Sequence, residues 1–254
     1  MSEALGVYRE RRFSPGKIED DAAILDSTAA RLREAGVRVR MIDGEALAPG
    51  IPEPDLVFAM CQGEQALAAL ERFGCPVINA PSAIRGCFRV NLVERLSSAG
   101  VPHPRWRFAS GTFPADLGPG PWLKRGDVHA MEAADVRRIF REEEWPGALE
   151  ELSRRGVSRA IVQEHRNGEV YKFYGVIGGF FRAFGLPAAL TEPAAALADA
   201  GARALGLAVY GGDGVCESEG TLTLVDFNDW PSFSRCREEA SRAIGAHLLG
   251  ILRG

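Results

Sequence analysis

The residues of this sequence that are best suited to chemistry lie near its carboxyl end, in the stretch LTLVDFNDWP at positions 222–231. Asp226 and Asn228 are two positions apart, so a β-strand would direct both side chains to the same face. Asp213 follows an upstream apolar run, and a polar turn between the two stretches predicts a hairpin that brings Asp213 opposite Asp226. Two carboxylates and one amide at one point suit Mg²⁺, whose other ligands are usually nucleotide phosphates and water. A solvent-exposed hairpin with polar turn residues is the alternative.

Basic residues are concentrated in a second stretch, RERRFSPGK at positions 9–17. It follows a short predicted strand, and ligands of parallel α/β sheets bind beyond the carboxyl ends of the strands. We therefore expect Arg9, Arg11, Arg12 and Lys17 to form a pocket for an anionic substrate. A charged loop that is only solvated is the alternative.

The first 80 residues are predicted to position this basic loop on a parallel sheet. Segments with strand character alternate with a helical pattern that is stopped by Gly36, and such alternation indicates parallel strands joined by helices. The predicted strands are residues 5–8, 37–42, 55–60 and 76–79, and the predicted helices are residues 18–35 and 64–73.

The rest of the chain is predicted to be antiparallel sheet with helices packed against it. Lys124 stands on a short strand at residues 122–125, and a compact turn containing His129 follows. Lys172 and Tyr174 alternate on a later strand, which suits a lysine and a hydroxyl directed at a phosphate or substrate, although an ordinary amphipathic strand has the same pattern. Further strands are predicted at residues 159–163, 170–176 and 178–184, and helices at residues 87–98, 133–144, 192–205 and 238–252.

Composition excludes several classes of function. The 254 residues are 46% apolar, enough for a substantial core, and a net charge of -4 gives no basic field for nucleic acid or a membrane surface. No apolar run approaches the roughly 20 residues of a membrane span, and the N-terminus lacks a basic-then-apolar signal segment. The five cysteines are odd in number and lack a CxxC pair, so we expect buried thiols in a reducing compartment and a cytoplasmic protein.

Four stretches, in their order and spacing, resemble the ATP-grasp superfamily over nearly the full length of the chain. The first, INAPSAIRGCFRVNLVERLSSAGVPHP, is similar to the segment whose helix supplies a phosphate-binding cation, and Arg89 stands where these proteins usually have Lys. The second, WLKRGDVHAM, is similar to the strand lysine and mobile glycine-rich loop of the family. It implies that Lys124 binds the α- and β-phosphates, although this loop is short and has only Gly126.

The third stretch, IVQEHRNGEVYKFYGVIGG, resembles the adenine hinge, where Gln163, Glu164 and the backbone near His165 would meet the base. The resemblance also implies an α/β (α+β) architecture that begins with a parallel α/β lobe at residues 1–80. An ATP-grasp domain at residues 81–254 would follow, in which a lid-like subdomain at about 105–165 and a C-terminal subdomain at about 166–254 clamp ATP.

The fourth stretch is the pair GGDG and VDFNDWPSF, which resembles the metal-binding motif of the family. The implied ligands of one or two Mg²⁺ ions are Asp213, Asp226 and Asn228. Many ligases of this superfamily carry Glu at the position of Asp226, so the shorter acid would shift the ions slightly. The catalytic candidates are Lys172, His129 and Arg182, the last because the resemblance suggests a cation near the transferred phosphoryl group.

Two functions are compatible with these residues. Most members of the superfamily are ligases, in which ATP phosphorylates a carboxylate and an amine captures the acyl phosphate. The second candidate is a small-molecule kinase, because the Asp-x-Asn, Gln-Glu and Lys-x-Tyr patterns also resemble the inositol-polyphosphate kinases of this fold. A nucleotide-binding module without turnover is disfavoured because the metal ligands and Lys124 are all present. The substrate would be small and anionic, and exposed sheet edges in the first lobe would suit a homodimer.

Overall fold

A parallel sheet of four strands, here named the first sheet, begins the chain as the alternating pattern predicts. The computed structural model describes residues 2–48, 50–128 and 132–254. The strands of the first sheet are β1 (Glu3–Val7), β2 (Arg38–Ile42), β3 (Leu56–Ala59) and β4 (Val77–Ile78), and its helices are α1 (Ile18–Glu34) and α2 (Glu64–Leu70). The strands lie in the order β2-β1-β3-β4, and all neighbours are parallel.

Two helices lead from the first sheet to the rest of the chain. They are α3 (Pro81–Gly86) and α4 (Arg89–Ser98). Pro81 occupies the first turn of α3, where its missing N–H costs nothing. The helix predicted at residues 87–98 is α4, which begins two residues later than expected. Val90 and Val93 of α4 pack against Ile161 of the next sheet, so Arg89 at the start of α4 is held beside that sheet.

The second sheet is antiparallel and has one face covered by a helix. Its strands are β5 (Trp106–Phe108), β6 (Trp122–Arg125), β7 (Val136–Arg138) and β8 (Ala160–Gln163), in the order β5-β8-β6-β7. Helix α5 (Trp145–Arg154) buries Trp145 against Leu123 and Val162. Since side chains alternate along a strand, Trp122 and Lys124 lie on the opposite face, away from α5.

The third sheet is also antiparallel and is built in the same way. Its strands are β9 (Glu169–Val176), β10 (Phe180–Phe184), β11 (Val209–Cys216) and β12 (Leu222–Asp229), in the order β10-β9-β11-β12. Helix α6 (Thr191–Leu205) packs small residues such as Ala198 and Ala202 against Phe173 and Phe227. Because Phe173 lies on this covered face, its neighbour Lys172 lies on the other one.

The last helix, α7 (Arg237–Arg253), joins the third sheet to the first lobe. Ile24 and Leu25 of α1 share one buried core with Ile244 and Leu248 of α7 and with Trp230, which follows β12. The core of the first lobe is therefore completed by residues from the carboxyl end of the chain.

One predicted element is wrong. Residues 133–144, expected to be helical, form a 3₁₀ turn at Ala133–Asp135, then β7, then a second 3₁₀ turn at Glu142–Glu144. Val136 of β7 pairs with Lys124 of β6, so pairing with a neighbouring strand decides the conformation of this short polar segment. Pro146 lies in the first turn of α5, where its fixed φ suits the start of a helix.

One parallel and two antiparallel sheets with packed helices confirm the predicted α/β (α+β) architecture. The other predicted strands and helices agree with those of the structure to within three residues at each end. Within the described residues, each helix is too short or too polar to span a bilayer.

Candidate active site

A cleft of about 840 Å³ lies between the second and third sheets. Trp122 and Val136 line it from the second sheet, and Val170, Val215 and Val225 line it from the third. Apolar walls of this kind, combined with a few charged groups, are typical of a site for a small organic ligand. The four valines were not singled out by the sequence analysis, because valines on strands are as common in cores as in binding sites.

Two buried cations lie in this cleft. Lys124 is 5% exposed and Arg89 is 4% exposed, and both line the cleft. Burial lowers the pKa of Lys124 to about 7, with the charge of Arg89 acting in the same direction and Asp226 opposing it. The Nε of Arg89 is buried without a hydrogen-bond partner in the described structure. A buried donor that lacks a partner fits a site whose natural occupant is an anion such as a phosphate.

The three predicted metal ligands lie on one face of the third sheet. Asp213 is directly opposite Asp226, as the hairpin prediction requires, and Asn228 is opposite Gly211. The register shifts between Asp213 and Gly214, and such bulges often redirect a side chain at a functional site. Each acid has a cationic neighbour. Asp226 Oδ1 lies 3.3 Å from Arg89 Nη1, and Asp213 Oδ1 lies 2.7 Å from Lys172 Nζ.

The donor chemistry of these ligands fits a hard cation. In the described part of the chain, no three His, Cys, Asp or Glu side chains are grouped to hold a metal ion. The candidate donors are therefore two carboxylates and the amide of Asn228. Mg²⁺ is usually bound by one or two carboxylates and completes its octahedron with phosphate and water, so Asp213 and Asp226 are sufficient.

The predicted adenine hinge follows the end of β8. Glu164 holds this segment in place: its N–H donates to Arg105 O at 2.9 Å, and its carboxylate accepts from the N–H and Nε of Arg105 at 3.0 and 2.7 Å. Burial acts against the ionised carboxyl, but the hydrogen bonds from Arg105 lower the pKa of Glu164 overall. The carboxylate of Glu164 thus fixes the hinge to β5, which leaves the backbone after it for a ligand.

The other two hinge residues differ in their contacts. Gln163 is 1% exposed, and its Oε1 lacks a hydrogen-bond partner within the described residues. Since it pairs directly with Trp122, it lies on the cleft side of the second sheet. His165 lines the cleft and its Nδ1 accepts a hydrogen bond from Trp122 Nε1 at 3.1 Å, and burial lowers its pKa. A neutral His165 is required for that acceptor role.

A second pocket of about 900 Å³ adjoins the predicted metal ligands on the side of the first lobe. Two of the predicted substrate cations, Arg9 and Lys17, line it together with Lys172, Tyr174 and Asn228. The predicted catalytic lysine therefore lies between the candidate metal site and the candidate substrate site.

The four cations of the basic loop do not converge. Arg11 and Arg12 are exposed and are not among the described residues that line the second pocket. Arg12 instead lies over the ring of Phe13, 4.5 Å from its centre. Arg9 lines the pocket, but its guanidinium donates to the carbonyl oxygens of Met60 and Trp230 at 3.1 and 2.9 Å.

Of the two remaining catalytic candidates, Arg182 is among the described residues. Arg182 is half-exposed, is bound to Glu239, and lies 5.5 Å from the ring centre of Phe180. Neither the cleft nor the second pocket includes it among the described residues that line them. His129 lies outside the described residues.

Lysine usage is a signal that the sequence analysis missed. Of the 30 Lys and Arg residues in the chain, only Lys17, Lys124 and Lys172 are lysines. All three line the cleft or the second pocket, while the solvent-exposed ion pairs of the described structure use arginine almost throughout. A compact ammonium group is not interchangeable with a guanidinium group, so the rare lysines mark positions where that difference counts.

Comparison with known proteins identifies the fold. No family model and no curated protein sequence matches the chain, whereas solved structures do. D-alanine–D-alanine ligase from Bacillus anthracis, also solved with ATP, has a TM-score of 0.74 at 14% identity, covering 100% of this chain and 96% of that chain. VanG D-Ala:D-Ser ligase from Enterococcus faecalis has a TM-score of 0.75 at 13% identity, covering 99% of each chain.

A third similar structure is a RimK domain ATP-grasp protein from Sphaerobacter thermophilus. Its TM-score is 0.70 at 19% identity, covering 97% of this chain and 100% of that chain. The three likenesses extend over nearly the full length of each chain. The chain therefore has the ATP-grasp fold, as the sequence resemblance predicts.

Proposed function

We propose that this chain is an ATP-dependent ligase that activates a carboxylate as an acyl phosphate for attack by an amine. One observation carries this proposal: the cleft and the second pocket meet at the row formed by Lys172, Asp213 and Asp226. A nucleotide in the cleft would direct its terminal phosphate toward this row, and an acceptor in the second pocket would approach from the other side. The ligase names of the similar structures from Bacillus anthracis and Enterococcus faecalis support the reaction class.

Residues of the cleft would bind and orient the nucleotide. The hinge after β8 and the amide of Gln163 would contact the base, and the apolar walls would exclude water from it. Lys124 and Arg89 would neutralise the phosphates, which is the main demand of phosphoryl transfer on a protein. Mg²⁺ held by Asp213, Asp226 and Asn228 would supply further charge neutralisation.

The proposed reaction has two steps and consumes only ATP, the carboxylate and the amine. A carboxylate oxygen of the substrate attacks the γ-phosphorus of ATP and ADP leaves, so a mixed anhydride forms. The amine then attacks the carbonyl carbon and loses a proton to the leaving phosphate or to water, and inorganic phosphate leaves with the original carboxylate oxygen. In the second pocket, Lys17 and Lys172 would hold the carboxylate substrate, and the hydroxyl of Tyr174 would orient it.

A kinase that acts on a polyphosphate has weaker support. Such a substrate needs several fixed cations, and the structure leaves Arg11 and Arg12 outside the second pocket. Arg9, although it lines the pocket, is committed to Met60 and Trp230. The pocket therefore suits a substrate with one or two anionic groups better than one with many.

The proposal is tested by incubating the protein with Mg²⁺, ATP and a mixture of amino acids and short peptides. We expect ADP and free phosphate that depend on the mixture, and a new amide detected by mass. Asp226→Asn is the control and should remove turnover while leaving the fold intact. ADP that appears with a new phosphate ester, and with no amide, would favour the kinase.

A further inference from the structure

One ion pair separates the cleft from the second pocket. Lys172 Nζ lies 2.7 Å from Asp213 Oδ1, and the two residues face each other across β9 and β11. Among the described residues that line the two cavities, Asp213 borders the cleft alone and Lys172 borders the second pocket alone. The pair thus joins a candidate metal ligand to the candidate substrate site.

We propose that Lys172 couples the two sites: its ammonium group pairs with Asp213 in the free protein, and moves to the carboxylate of the substrate once a metal–nucleotide complex takes Asp213. This inference rests on the proposed function. It predicts that the nucleotide and an anionic substrate bind cooperatively, with the nucleotide creating the cationic group that the substrate needs.

The ion pair between Lys172 and Asp213 is weak enough for either residue to take another partner. The side chains of Lys172 and Asp213 are 42% and 33% exposed, and exposed pairs of this kind contribute little to stability. A divalent cation at Asp213 would repel the ammonium, because like charges at a few ångströms oppose each other strongly. The four-carbon stem of lysine is flexible, so a side-chain rotation is enough and no backbone movement is needed.

The second pocket offers the released ammonium no free carboxylate among the described residues. Asp21 is the acid that lines this pocket. Its Oδ2 accepts from Arg9 Nη1 at 3.1 Å and from Ser14 Oγ at 2.7 Å, so Asp21 is already committed. Lys172 and Lys17 together would then leave the pocket with uncompensated positive charge. An anion entering from solution is the natural partner for that charge.

The rarity of lysine makes the test direct. Protein labelled with carbon-13 lysine should give three side-chain signals by NMR, since the chain has only Lys17, Lys124 and Lys172. Single Lys→Arg variants assign them. Mg²⁺ with a non-hydrolysable ATP analogue should shift the signals of Lys124 and Lys172. Acetate is then added as the carboxylate probe, with chloride at equal ionic strength as the control. The shift of the Lys172 signal should show that acetate binds at least about 5-fold more tightly than it does to the protein without nucleotide.

Two variants separate coupling from simple binding. Lys172→Met should tighten the binding of the Mg²⁺–nucleotide complex by about 2- to 5-fold, because Asp213 loses its competing counter-ion. A lysine that contacted the bound phosphates would instead weaken that binding when replaced. Lys17→Met is the matched control from the same pocket: it should weaken acetate binding equally with and without nucleotide.

The outcomes distinguish the two proposals. If the signal of Lys124 does not respond to Mg²⁺ and the nucleotide analogue, the proposed function and the coupling are both overturned. If Lys124 responds but Lys172 stays paired with Asp213, or acetate binds equally in both states, the coupling alone is overturned. The labelled wild-type protein gives this answer even if Lys172→Met does not fold.

Discussion

If the cleft binds ATP as proposed, the charge on the buried Lys124 makes that binding depend on pH. Burial, together with the charge of Arg89, lowers the pKa of Lys124 to about 7, so much of this residue is neutral above that pH. A phosphate beside Lys124 favours the ammonium form and raises the pKa again. Nucleotide binding above pH 7 must then draw a proton from solution, and the affinity must fall as the pH rises.

Calorimetry tests this prediction at pH 8, in buffers with different heats of ionisation. Binding of Mg²⁺ and a non-hydrolysable ATP analogue should take up close to one proton, because the free amine must be protonated in the complex. Lys124→Met is the control, and it should bind more weakly and take up no proton. Equal heats in all buffers for the wild-type protein would show that Lys124 is not at the phosphates.

Among the elements, the strand β12 that carries the candidate metal ligands Asp226 and Asn228 depends on how closely α6 packs under the third sheet. Gly201 faces Phe227, and a Cβ added at Gly201 would lie 2.6 Å from the Cζ of that ring. Phe227 is fully buried and follows the candidate ligand Asp226 directly, so overpacking against its ring would strain this strand.

Gly201→Ala should therefore reduce the free energy of unfolding by about 1–3 kcal/mol, as overpacking in a core does. Gly250→Ala is the matched control, because Gly250 is exposed on α7 and has nothing within 4 Å of an added Cβ. There, alanine should be neutral or stabilising by up to about 1 kcal/mol. Urea unfolding of both variants measures the difference, and equal stabilities would contradict the close packing of α6.

At the scale of the whole molecule, Arg9 joins the first lobe to the end of β12. Its guanidinium donates to Met60 O at 3.1 Å, to Trp230 O at 2.9 Å and to the carboxylate of Asp21 at 3.1 Å. Trp230 has a φ of 44°, which a residue other than glycine adopts only where its surroundings enforce it. Arg9 therefore links the loop after β1 to the segment that follows β12.

Arg9→Ala should lower the free energy of unfolding by about 3 kcal/mol, because it leaves the buried Asp21 without its cation. Arg11→Ala, an exposed arginine of the same loop, should change it by less than about 0.5 kcal/mol. Thermal unfolding of the two variants and the wild-type protein compares their stabilities. A similar loss of stability in both variants would mean that the loop, and not the guanidinium of Arg9, makes the junction.

Much of this organisation can be predicted from the sequence because it depends on local pattern. Alternation of strands and helices predicts the parallel sheet. The polar turn between two apolar runs predicts the hairpin with Asp213 opposite Asp226, and the two-residue spacing places Asn228 on the same face. The error at residues 133–144 has the opposite cause, since β7 exists only through its pairing with β6. The separation of Arg9 from Arg11 and Arg12 depends on loop geometry, which residue types alone do not determine.

Attack of a substrate carboxylate on ATP would transfer one carboxylate oxygen to the phosphate that is released, and isotope labelling detects that transfer. The protein is incubated with Mg²⁺, ATP and a mixture of amino acids and short peptides whose carboxylates carry oxygen-18. Phosphorus-31 NMR then shows whether the label reaches free phosphate. The account predicts one oxygen-18 atom in each phosphate released, since the carboxylate oxygen leaves with it. Free phosphate without label, formed together with the product, would contradict an acyl phosphate intermediate.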